Sequence, residues 1–210
     1  MSGVYVYIDG YNFYCGINQP GWLKYGWCNF LHLANRLTRA AFGPAQSVGK
    51  VTYFTAPVRL GLENTAGERE RQEMWLDAIT FESPTVQVVE GRWQRIGSGP
   101  RREKETDVNL AIGMQGQIGE FDGAILVSAD SDLIPAIRAV RKAGKPVAVF
   151  FPPNQRGYKM PEDLPIRTAW ISKEVLAECR MRDVIPRAGQ PPISWYSYLN
   201  SRKSAGLRAD

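Results

Sequence analysis

Short apolar runs alternate along this chain with longer stretches whose apolar residues recur every three to four positions. That alternation predicts strands and helices in turn. Gly3 to Ile8, Val48 to Thr55, Thr85 to Val89, Ala124 to Ser128 and Pro146 to Phe151 read as five strands, most of them buried on both faces. Between them, Phe30 to Phe42 carries Leu31, Leu33, Ala34, Leu37 and Ala41 at helical spacing behind a capping Asn29, and Gly43-Pro44 stops it. Glu68 to Phe81 turns Met74, Trp75, Ala78 and Ile79 inward. Asp107 to Gln117 has Val108, Ala111, Ile112 and Met114 as its apolar positions. Asp132 to Ala143 has Leu133, Ile134, Ile137 and Val140, with Pro135 in the first turn, where proline is tolerated. Ile166 to Ile171 reads as a short edge strand and Lys173 to Met181 as a last helix.

The segments between have turn chemistry. Tyr11 to Trp27 reads as a loop, or a short helix and then a loop, overhanging the end of the first strand. Ala56 to Thr65 and Pro152 to Asp163 read as loops. Glu90 to Thr106 holds five basic residues, three glycines and a proline, which predicts a mobile loop or hairpin. Residues 182–210 hold scattered prolines, glycines and aromatics and read as an arm, disordered near Ser201 to Asp210. The expected organisation is one domain over 1–181 followed by that arm. Strands alternating with helices predict a mostly parallel sheet with helices on both faces, an α/β fold.

Composition narrows the function classes. The net charge of +5 and pI near 9.2 are mildly basic, a weak pointer to a polyanionic partner. Cys15, Cys28 and Cys179 form no C-x-x-C, so zinc-ribbon and disulfide frameworks are not expected. A Ser-His-Asp or Cys-His mechanism would have to rest on His32, the one histidine, which lies in a helical pattern with no supporting motif. No apolar run approaches the length needed to span a bilayer, and the N-terminus shows no leader pattern, so a soluble, cytoplasmic protein is expected.

The candidate chemistry lies at strand ends. Asp9 follows the first strand, Asp107 opens a helix, and Asp130 and Asp132 follow the fourth strand. Each acid alone is equally readable as a helix cap. Together they point to one site, because open α/β sheets bind ligands at the carboxyl ends of their strands. Like charges at ~4 Å cost ~4 kcal/mol at an effective dielectric of about 20, so a cluster needs a cation or protonation. Oxygen donors without His or Cys suit a hard ion, Mg²⁺ or Mn²⁺. Asn12 and Ser128 are positioned to support these acids.

Tyr7-Ile-Asp-Gly-Tyr-Asn12, Lys104-Glu-Thr-Asp-Val108 and Leu126-Val-Ser-Ala-Asp-Ser-Asp-Leu133 resemble, in order and spacing, the motifs of the NYN-domain family, in particular its bacterial LabA-like branch. The resemblance covers about residues 3 to 175. It implies a PIN-like three-layer α/β/α sandwich and a metal-dependent ribonuclease, with Asp9, Asp107, Asp130 and Asp132 at the metal and Asn12 and Ser128 supporting them. Ala129 stands where glycine is common in that family and Leu133 where phenylalanine is common.

On this reading, metal-activated water hydrolyses phosphodiester bonds, in single-stranded RNA ahead of DNA. Arg92, Arg95, Arg101, Arg102 and Lys104 form a basic stretch before Asp107, and Arg59, Arg69 and Arg71 lie near the second strand's end. Lys104 is the foremost candidate for a phosphate contact, and Trp93 and Tyr11 for stacking on unpaired bases. The main alternative is a catalytically inactive module of the same fold that binds RNA or a partner protein. A haloacid-dehalogenase-like phosphatase would want an acid at Tyr11, and a nucleotide-binding domain a glycine-rich turn after the first strand. A homodimer through exposed Trp195, Tyr196 and Tyr198 is a further expectation.

Overall fold

The computed structural model describes residues 3–58, 65–94, 102–104, 106–187 and 189–204, with the side chains of 65–66, 92–94, 102–104 and 201–204 outside that description. The main sheet is built from β1 (Val4–Asp9), β2 (Val48–Thr55), β3 (Val86–Glu90), β6 (Gly123–Val127), β7 (Val147–Phe151) and β8 (Arg167–Trp170). Its order is β3-β2-β1-β6-β7-β8, and every neighbouring pair is parallel. The chain runs outward from β1 through β2 to β3, then crosses back to β6 and continues outward the other way. The winding therefore reverses between β1 and β6, and a crevice opens there at the carboxyl ends of the strands.

Alternation along β1 sorts the core into two layers. Val4, Val6 and Ile8 pack with Val127, Phe150, Leu33, Ala78 and Ile79 on the side of α2 (Phe30–Phe42) and α3 (Thr65–Glu82). Tyr7, Leu126, Val149 and Phe151 pack with Leu110, Met114, Ile137 and Val140 on the side of α4 (Thr106–Gly116) and α5 (Ile134–Lys142). The result is the expected three-layer α/β/α sandwich. Asp9, two residues beyond Tyr7, faces the α4/α5 side by the same period of two.

Several boundaries differ from expectation. The first residues of Tyr11 to Trp27 form the short helix α1 (Gly10–Ile17), capped by Asp9, and a 3₁₀ turn follows at Leu23–Gly26. A 3₁₀ turn at Ser131–Leu133 precedes α5, so Asp132 lies in that turn rather than in the helix proper. The last predicted helix is shorter, α6 (Lys173–Glu178). On α4 it is Leu110 and Met114 that turn inward, while Val108 and Ile112 are 56% and 62% exposed. Gly113 explains the choice: a Cβ there would lie 3.3 Å from the Phe54 ring, so the helix beds on its glycine.

The arm is ordered over much of its length. β9 (Val184–Arg187) and β10 (Gln190–Ser194) pair as an antiparallel hairpin, and α7 (Trp195–Ser204) follows. Trp195 and Tyr198 are buried against Trp27, with ring centroids 5.7 and 5.4 Å away. Of the three aromatics expected to be exposed, only Tyr196 is. The other two were misjudged because their partner Trp27 is far away in sequence. Residues 201–204 continue α7, and the expectation of disorder at 205–210 falls outside the described residues.

Candidate functional site

The register of the sheet assembles the site. Ile8 pairs with Val127, and Val127 with Phe150. One residue further on, Asp9, Ser128 and Phe151 therefore form a row across three strands, on the α4/α5 side. Ser128 Oγ donates to Asp9 Oδ2 at 2.7 Å, and Asn12 Nδ2 donates to the same oxygen at 2.7 Å. Asn12 N–H donates to Asp9 Oδ1 at 3.0 Å, which is also the cap of α1. Asn12 Oδ1 accepts from Ala129 N–H at 3.3 Å, and Ser128 Oγ accepts from Asp130 N–H at 3.0 Å. Asp130 Oδ1 in turn accepts from Asp132 N–H at 2.8 Å and caps the 3₁₀ turn. Capping and convergence thus coexist: Asp9 and Asp130 each start a helix and meet through Ser128.

This wiring requires Gly10. A Cβ there would sit 2.4 Å from Phe54 O and 2.5 Å from the Tyr53 ring, so only glycine lets α1 leave β1 at this angle. Tyr53 Oη donates to Gly10 O at 3.2 Å and pins the same bend.

Asp107 arrives on α4. Gly113 rests at the level of Tyr7 and Phe54. Six residues toward the N-terminus span roughly 9 Å of helix. Asp9 stands two residues beyond Tyr7, roughly 6.6 Å of strand. The helix therefore overhangs the crevice with Asp107 in its first turn. Although this side chain is exposed, its pKa is carried up to about 6, by loss of surrounding water and then by the charges of Asp9, Asp130 and Asp132. Burial also pushes Asp9 up, against the hydrogen bonds from Asn12 and Ser128 that hold it down, and Asp130 adds to the rise. The four carboxylates thus share one electrostatic site. Among the described residues, however, no three acidic, histidine or cysteine side chains stand within reach of one ion.

Three buried side-chain oxygens among the described residues have no hydrogen-bond partner, and two adjoin this crevice. Thr106 Oγ1 belongs to the residue before Asp107. Tyr158 Oη comes from the loop after β7, and burial, then the charge of Asp130, raise its pKa to about 12. Sequence reading missed both. A tyrosine in a Pro/Gly/polar loop, far along the chain from Asp130, carries no local signal.

Tyr11 is 58% exposed in the first turn of α1. Arg92 and Trp93 lie on β4 (Arg92–Gln94), and Arg102 and Lys104 on β5 (Arg102–Lys104). These strands form an antiparallel hairpin that leads into α4. Arg95, Arg59 and Arg101 lie outside the described residues. Arg69 pairs with Glu73 one turn along its own helix.

A doubly wound parallel sheet with acids at its switch point defines the protein class: an α/β domain with a candidate acidic site at its strand ends. The chain belongs to the NYN domain family, whose signature matches residues 3–162. The match is to the family as a whole rather than to its LabA-like branch. The chain is also similar to the 6-hydroxy-3-succinoylpyridine 3-monooxygenase HspA of Pseudomonas putida. The two are 24% identical over 234 aligned residues, covering 91% of this chain and 74% of that protein. A crystal structure of a protein of unknown function from Vibrio parahaemolyticus shares the fold, with a TM-score of 0.52 and 18% identity over 82% of this chain and 95% of that one. Among the described residues no helix is long and apolar enough to cross a membrane.

Proposed function

We propose that this protein is a metal-dependent nuclease that hydrolyses phosphodiester bonds, in single-stranded RNA ahead of DNA. The observation that carries the reading is the row of Asp9 and Ser128 hydrogen-bonded at the switch point beside Asp130, with Asp107 carried up to about 6 by loss of surrounding water and then by the charges of Asp9, Asp130 and Asp132. A bound Mg²⁺ or Mn²⁺ supplies the positive charge that such a cluster lacks, and with it water activation and charge neutralisation at phosphorus. The donor set fits a hard ion. Asp9 Oδ2 is filled by two donors, but Oδ1 accepts one and keeps a lone pair. With no three acids among the described residues in reach of one ion, the ion would keep several waters and take one or two carboxylates, the habit of Mg²⁺. Asp107, exposed at the head of α4, would hold the ion or hydrogen-bond one of its waters. Ser128 and Asn12 orient Asp9. The hairpin whose sequence carries Arg92, Trp93 and Lys104 leads into α4, and Tyr11 is exposed on α1; phosphates and unpaired bases are the partners such residues suit.

Two other readings have support. An inactive RNA- or protein-binding module would use the same residues. The Pseudomonas relative is named as a monooxygenase, and its similarity extends beyond the NYN match. The discriminating experiment incubates the protein with single-stranded RNA and DNA, in Mn²⁺, in Mg²⁺ and in chelator, beside Asp9→Asn and Asp130→Asn. Cutting that needs metal and drops at least about a hundredfold in both variants is expected. Retention of RNA without cutting would favour the binding module. Turnover of 6-hydroxy-3-succinoylpyridine with oxygen and a reductant would favour the relative's chemistry.

A further inference from the structure

Tyr158 is held at the crevice by a loop with several independent fastenings. Asn154 adopts a left-handed conformation at φ 57°, and its Nδ2 donates to Gly16 O at the end of α1, at 2.7 Å. Gly16 has no Cβ where Pro153 O approaches; the atom would be 2.3 Å from it. Trp170 Nε1 donates to Gln155 O at 3.4 Å. Gly157 is wedged between the rings of Phe151 and Trp170, each 2.7 Å from where its Cβ would lie. Tyr158 then sets its ring edge-on to Phe151, with centroids 5.2 Å apart.

Phe151 stands in the row of Asp9 and Ser128, one strand over. The charge of Asp130 acts on the phenol oxygen, which relates it to the Asp130 side of the acid crevice. It is buried there with no partner. A hydroxyl in such a place is expected to have an acceptor, because buried polar groups are almost always satisfied. Nothing in the loop needs it, since the ring does the packing. The charge of Asp130 reaches it, and on the nuclease reading a phosphate enters the crevice together with a cation.

We propose that Tyr158 is a substrate-binding residue whose hydroxyl donates a hydrogen bond to a non-bridging oxygen of the phosphate to be cut. A neutral phenol is a poor ligand for a hard cation but a good donor to a phosphate oxygen, which makes the substrate rather than the metal its target. With Thr106 Oγ1, it is one of two hydroxyls beside the crevice among the described residues that have no hydrogen-bond partner. The inference rests on the nuclease reading, and its test separates the two.

The test is Tyr158→Phe in the full chain, which removes only the oxygen. Four quantities are compared with the parent protein: cleavage of a single-stranded RNA under Mn²⁺, inhibition by inorganic phosphate, calorimetric Mn²⁺ affinity and Tm. The expected result is a fall in kcat/KM of about tenfold or more, with phosphate inhibition weakened in parallel. Mn²⁺ affinity should stay unchanged and Tm unchanged or higher, since no bond in the free protein is lost. Unchanged kcat/KM and phosphate inhibition would overturn the proposal while leaving the nuclease reading intact. A fall in Tm together with weaker Mn²⁺ binding would overturn it in favour of a structural role. A parent protein that cuts with neither metal defeats the nuclease reading, and the proposal falls with it.

Discussion

Asp9 and Asp107 face each other across one crevice under opposite restraint. Asp9 is buried at a strand end, accepts hydrogen bonds from Asn12 and Ser128, and sits behind a glycine that no other residue can replace. Asp107 is exposed, in the first turn of a helix that follows a hairpin of arginines and lysine. The half of the cluster on β1 and β6 is set by sheet register, which shifts only in whole residues. The half on α4 is set by helix packing, which slides. One half is held by register and side-chain hydrogen bonds, the other by the packing of one helix.

The comparison can be broken most severely at its rigid half. Gly10→Ala is expected to lose about 1–3 kcal/mol or more in chemical denaturation, because the methyl meets the Phe54 carbonyl at 2.4 Å and backbone must move. Loss of less than about 0.5 kcal/mol would show that the β1–α1 bend is soft after all. Ser128→Ala is a milder break. It removes the donor to Asp9 and the acceptor of the Asp130 N–H, so about 1–2 kcal/mol of stability should go. Cleavage should fall about tenfold at fixed Mn²⁺; full activity would mean that Asp9 holds its place without this strut.

The smallest effect sharpens the half on α4. The pKa of Asp107 is raised from 3.8 to about 6, so its ionised form is disfavoured in the folded state. Its contribution therefore favours folding at low pH and is lost as pH rises from about 4 through 6. In metal-free protein, Asp107→Asn should raise Tm by about 1–2 °C at pH 8, a shift kept small by solvent screening. The gain should shrink as pH falls and vanish below about pH 3, under the 3.8 of the free acid, where Asp107 is protonated in both states. Should the variant melt lower than the parent at pH 8, the clash that defines this half would be absent.

Much of this was legible in the residues themselves. Five strands of the main sheet could be read from apolar runs at nearly their observed bounds, and its edge strand from Ile166 to Ile171. Asp9, Asp107, Asp130 and Asp132 stand out because acids directly after apolar runs, or at a helix start, are local signals. Asn12 and Ser128 followed from their spacing to those acids. The arm was less legible. Trp195 and Tyr198 look exposed until Trp27 is brought to them from the other end of the chain. The face of α4 is misread from sequence: Val108, Ala111, Ile112 and Met114 are its expected apolar positions, yet Val108 and Ile112 are exposed and Leu110 turns inward with Met114. Which pair turns inward depends on the Phe54 ring at Gly113.

The amino-acid sequence by itself determined the order of elements, the polarity of the strands' two faces and the chemistry offered at their ends. These depend on periodicity and local capping, which act over a few residues. Tertiary structure alone decided that β6 lies beside β1, so that Ser128 bonds Asp9 across 119 positions of chain. It also decided that the loop after β7 closes over the same crevice and leaves the Tyr158 hydroxyl without a partner there. Hydrogen bonding and electrostatic repulsion between distant residues depend on ångström distances, and only the packed register of sheet and helices sets those.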